Sequence, residues 1–67
     1  MEIIDIQNKQ SHILINREEL FTINSALNEI CNGIDVFEFE TRIGADRECV
    51  AKLLKEVNRL LEKMDSV

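Results

Sequence analysis

Two short β-branched runs open the chain, Ile3-Ile4-Asp5-Ile6 and Ile13-Leu14-Ile15, separated by the polar stretch Gln7-Asn8-Lys9-Gln10-Ser11. β-Branched side chains suit the pleated surface of a strand, and polar residues between two such runs mark a turn. Residues 1–16 are therefore expected to form a β-hairpin. With a period of two, Ile4 and Ile6 share one face, as do Ile13 and Ile15, and these faces are expected to cover the helices that follow.

The apolar spacing then changes to three and four. Leu20, Ile23, Leu27, Ile30 and Ile34, with Ala26 and Cys31 on the flanks, describe one face of an amphipathic helix. Asn16 is a favoured N-cap, and Glu19 stands three positions on, where a capping box places its acid. Gly33 is expected to supply the left-handed residue that ends many helices, so this helix is read as 17–32.

Residues 34–44 suit two readings. The alternation Val36-Phe37-Glu38-Phe39-Glu40 fits a short strand, whereas Phe39, Ile43 and Gly44 fit a short helix capped by Asp35. The helix is preferred, because Gly44 followed by Asp46 reads as a helix stop and a fresh N-cap. From residue 46 to about residue 64 the pattern is regular: Val50, Leu53, Leu54, Val57, Leu60, Leu61 and Met64 line one side of a long helix. Lys52, Lys55, Glu56, Arg59, Glu62 and Lys63 occupy its outer side, spaced for pairs four residues apart. Residues 65–67 are expected to fray.

The elements amount to an α+β fold, an N-terminal β-hairpin packed on two main amphipathic helices with a short connecting element, and 67 residues hold a single domain, 1–67. A domain of this size buries only about 60% of the surface its unfolded chain exposes. Self-association or an obligate partner is a natural complement to so small a core. With 45% apolar residues and no proline, the composition is that of a folding chain and not of a disordered one.

Charge narrows the partners. Eight Lys and Arg stand against thirteen Asp and Glu, a net charge of -5. Phosphate neutralisation needs a basic stripe, so no nucleic-acid partner is expected; a basic protein is the complementary choice. Divided as 1–16, 17–34, 35–48 and 49–67, the chain carries -1, -2, -3 and +1, so the acidity peaks in the third segment.

Neither a basic region followed by a long apolar run nor a stretch of roughly 18 apolar residues occurs, so no membrane association and a cytoplasmic location are expected. The two cysteines, Cys31 and Cys49, fall one in each main helix on apolar faces; a disulfide between them is geometrically open, and buried free thiols are expected. The single histidine, His12, lies in a predicted strand with no ligand-spaced neighbour, and Gly33 and Gly44 form no phosphate loop. No catalytic residue, cofactor or metal is expected, and the chain is read as no enzyme.

Three features are candidates for function. Asp35, Phe37, Glu38 and Glu40 place carboxylates around aromatic rings, an anchor for a basic surface unless Phe37 and Phe39 are core. Asn24, Asn28 and Asn32 recur every four residues along the first helix; asparagine is a poor helix former, so the stripe is either a recognition face or bonded to the adjoining loop. The apolar face of the last helix, Val50 to Met64, is either core or the seam of a homodimer.

Ala26-Leu27-Asn28-Glu29-Ile30-Cys31-Asn32-Gly33, then Phe37-Glu38-Phe39-Glu40-Thr41-Arg42-Ile43-Gly44 and Asp46-Arg47-Glu48, resembles a family of short uncharacterised bacterial proteins, similar in style to the immunity proteins that neutralise toxins. The resemblance covers about half of the chain and implies inhibition of a toxin or enzyme by surface binding. The turn Gly44-Ala45-Asp46 before a helix is also similar to the helix-turn-helix of transcription regulators, but a helix opening on Asp46, Arg47 and Glu48 has little to offer phosphate. The function expected is a protein-binding module, a small acidic inhibitor or immunity-like protein for a basic partner. The alternatives are a small homo-oligomeric accessory domain and, behind it, a DNA-binding protein.

Overall fold

The computed structural model describes residues 1–66 and shows the expected α+β architecture. Strands β1 (Glu2–Gln7) and β2 (Gln10–Leu14) form a two-stranded antiparallel hairpin. Helix α1 (Arg17–Asn28) continues into a π-helical turn (Glu29–Gly33), and a loop leads to the short α2 (Phe39–Ile43) and the long α3 (Arg47–Asp65).

The cap chemistry explains where the helices start and stop. The Asn16 side chain accepts from the Glu19 amide at 2.8 Å while Glu19 accepts from the Asn16 amide at 3.2 Å, a complete capping box. Asp46 caps α3 by accepting from the Cys49 amide at 2.8 Å. Gly44, at φ 89, closes α2 with its amide 2.9 Å from the Glu40 carbonyl, the left-handed stop expected of it.

Gly33 behaves differently from the expectation: it is not left-handed. The helix widens into the π turn instead, which lets the Ile34 amide reach the Glu29 carbonyl at 2.9 Å. Nor does Asp35 cap α2; Glu38 holds that position, in the left-handed region at φ 53. Residues 36–38 are neither strand nor helix, with a turn at 37–38. Asp65 remains helical, because the Arg17 guanidinium grips it from the other helix at 2.6 and 3.1 Å. Val67 lies outside the described residues.

Helices α1 and α3 pack on each other and hold the core. Leu20 from α1, Phe39 from α2 and Val50, Leu54 and Leu61 from α3 are buried, with Ile23, Leu27, Ile30, Val57 and Met64 half-buried around them. The α3 face from Val50 to Met64 is thus largely spent inside the chain, while Leu53 and Leu60 face outward.

The hairpin departs from its predicted packing. Residues 8 and 9 turn it with both backbones left-handed, Asn8 at φ 51 and Lys9 at φ 63, as a two-residue hairpin turn requires. A bulge interrupts the register between Ile3 and Asp5. Ile3 therefore stands opposite Ile13 and Ile6 opposite Ser11, so Ile3, Ile6 and Ile13 share a face that strict alternation would have split. Ile4 is the unpaired residue of the bulge, and the faces do not cover the helices: every residue of both strands is exposed, and only Ile15, beyond β2, is half-buried. The strands meet the helical layer at the Met1 amino group, which donates to the Glu19 carboxylate and holds that carboxyl below its usual range, with help from the Asn16 amide.

Candidate protein-binding surface

The loop between the π turn and α2 puts two phenylalanines into opposite environments. In an extended strand, residues two apart share a face. Here Glu38 turns the backbone through the left-handed region, a conformation that costs a non-glycine residue about 1 kcal/mol. Phe39 goes into the core at 7% exposure, and Phe37 stays outside at 74%. The two readings weighed from the sequence are thus divided between the rings, one core and one surface.

Arg47, in the first turn of α3, fixes this arrangement. Its guanidinium lies 4.5 Å from the centre of the Phe39 ring, within cation–π range, and its Nη2 donates to the Val36 carbonyl at 3.2 Å. One side chain therefore clamps the loop on both sides of Phe37. The sequence pattern gave no notice of this role, since the clamp spans eight to eleven residues and belongs to no helical period.

Asp35, Glu38 and Glu40 are exposed around Phe37, and among the described residues no ion pair involves any of them. Their charge is free to act on a cationic neighbour. The surface combines an exposed ring on a pinned loop with unpaired carboxylates, an arrangement suited to docking on a basic protein.

The asparagine stripe separates into two parts. Asn24 is half-buried and its amide donates to the side chain of Asn58 on α3, so it joins the two helices. Its bond goes to a helix and not to the adjoining loop. Asn28 and Asn32 are exposed and bonded to each other at 3.0 Å, consistent with a surface role or with simple mutual satisfaction. No hydrogen bond among the described residues links the stripe to the acidic loop.

The thiols are free: Cys31 is half-buried, whereas Cys49 is exposed and not on a buried face as expected. Cys49 sits beside its own helix cap. The hydrogen bond and negative charge of Asp46, with some desolvation and the charge of Glu48, push its thiol pKa up. The thiolate is the reactive form, so Cys49 is expected to react with a thiol reagent at pH 7.5 more slowly than an unperturbed exposed cysteine. Asp46→Asn, which keeps a capping side chain, should speed it; equal rates in the two chains would show that Asp46 does not control the thiol.

Among the described residues no group of three or more His, Cys, Asp and Glu is arranged to hold a metal ion, and no helix is long and apolar enough to cross a membrane. Two surface depressions lie away from this loop, one over Asp5, Gln7, Gln10, Ser11 and His12 on the hairpin, another along Glu56, Arg59, Leu60 and Lys63 on the outside of α3. No protein-family model, curated protein or solved structure matches the chain.

Proposed function

We propose that this chain is a protein-binding module, most concretely a small acidic inhibitor of the immunity-protein kind that neutralises a basic protein by covering part of its surface. The observation that carries the reading is Phe37, 74% exposed on a loop that Arg47 pins on both sides. An exposed aromatic ring on a fixed backbone loses little freedom on binding, and rings of this kind anchor interfaces. Asp35, Glu38 and Glu40 speed the encounter and select for positive charge. Asn28 and Asn32 extend the polar contact, while Asn24 supports the surface from within the helix pair.

The reading is tested by recovering the bound protein from native cell lysate with the tagged chain, then repeating the binding with a Glu38→Lys, Glu40→Lys chain and at raised salt. A stoichiometric basic partner, weakened by both changes, is the expected result. A partner held equally well by the charge-reversed chain would move the contact off this loop. The alternative, a homo-oligomeric accessory domain joined through α3, draws on Leu53 and Leu60, which remain 48% and 45% exposed on that helix. Leu53→Asp with Leu60→Asp dissociates such an assembly and leaves the inhibitor surface untouched.

A further inference from the structure

Among the described residues, the hairpin is the element whose apolar residues find no cover inside the chain. Ile3, Ile6 and Ile13 share a face and are 66%, 65% and 44% exposed. Glu2, Asp5, Gln7, Gln10 and His12 fall on the opposite face, so the isoleucine face carries no charged side chain. An isolated two-stranded hairpin is marginal in water, and its persistence calls for something packed against it.

The extent of the exposed surface points the same way. A folded chain of 7.8 kDa ordinarily exposes about 4,400 Å², whereas this one exposes 5689 Å². The surplus is about 1,300 Å², more than the roughly 800 Å² that each partner contributes to a standard interface. The radius of gyration is 13.5 Å against about 11 Å for a compact chain of 67 residues, and the extents of 35 × 31 × 16 Å describe a flat body.

We infer that the isoleucine face of the hairpin is the contact surface for a second copy of this chain in a twofold dimer. The surplus belongs to the whole chain, the isoleucine face is an uncovered apolar part of it, and the charge decides the occupant. A basic partner would find no carboxylate on this face, whereas two copies, each at net charge -5, meet with least repulsion where neither presents charge. A twofold axis lets the same uncharged patch serve both sides. This surface is separate from the Phe37 loop, so the dimer and the inhibitor reading stand or fall independently.

Light scattering on the purified full chain, from 5 to 200 μM at low and high salt, is expected to give about twice the 7.8 kDa chain mass, undiminished by salt. Ile6→Asp with Ile13→Asp is expected to halve that mass while the far-ultraviolet helical signal persists, because both side chains are exposed in the single chain. A native chain monomeric at 200 μM overturns the proposal. So does a dimer that survives these changes and dissociates with Leu53→Asp and Leu60→Asp. Isotope-filtered methyl contacts between labelled and unlabelled native copies need no variant: contacts from Ile3, Ile6 and Ile13 support the hairpin interface, and contacts confined to other residues exclude it.

Discussion

Leu54→Ala is expected to remove about 3 kcal/mol of folding stability, leaving the chain marginal, with a measurable unfolded fraction at 37 °C. Truncating a buried leucine forfeits its transfer free energy and leaves a cavity, at a cost of about 2–5 kcal/mol. A single core in a chain this small rarely supplies more than about 3–5 kcal/mol, and here it rests, among the described residues, on five buried side chains. Leu53 gives the matched control: the same change, one residue away on the same helix, affects a side chain left 48% exposed and should cost about 0.5–1 kcal/mol. Urea unfolding followed by far-ultraviolet circular dichroism measures both. Equal losses at the two positions would contradict the α1–α3 packing.

The second large effect is on binding. Phe37→Ala is expected to weaken binding of the basic partner by about 30-fold or more, as truncation of a central interface aromatic costs about 2–4 kcal/mol and each 1.4 kcal/mol is tenfold. Its fold should be unaffected, since the ring is exposed. Phe39→Ala must behave in the opposite way. That ring is buried beneath Arg47, so its loss should destabilise the chain by about 3 kcal/mol or more and abolish binding only through unfolding. Isothermal titration of the folded Phe37→Ala chain reads the first effect, and thermal unfolding of the Phe39→Ala chain reads the second.

Much of this molecule was legible from local rules. Asn16 with Glu19, Asp46 and Gly44 each act within four residues of themselves, and the structure places each at the helix end where the sequence puts it. The heptad-like spacing of α3 likewise marked Val50, Leu54, Val57, Leu61 and Met64, which are buried or half-buried, but it also took in Leu53 and Leu60, which are exposed. What escaped was non-local or concerned one residue of register. A single bulge near Ile4 carries Ile3 onto the face of Ile6 and Ile13, and no apolar pattern announces a bulge. Gly33 met the preference for a left-handed stop, but a π turn satisfied the same carbonyl without it. Arg17 with Asp65, Asn24 with Asn58 and Arg47 over Phe39 join residues far apart along the chain, where periodicity carries no information.

Of the candidate site, the acidic loop was legible by composition, and the division of labour between its two phenylalanines was not. That division depends on the left-handed backbone at Glu38, a residue type that seldom adopts it. Tertiary contacts supply the compensation: the burial of Phe39 and the hold of Arg47 on the Val36 carbonyl. Such strain beside an exposed ring is consistent with a surface shaped for contact.

The central claim is that residues 35–40 form the face that meets the partner. Its most direct test is to titrate the isotopically labelled chain with the recovered partner and follow the amide resonances. The account predicts that the largest shifts and broadening fall on Asp35, Val36, Phe37, Glu38 and Glu40, with the hairpin and the outer side of α3 little changed. Shifts centred on Ile3, Ile6 and Ile13, or on Leu53 and Leu60, with residues 35–40 silent, would contradict it.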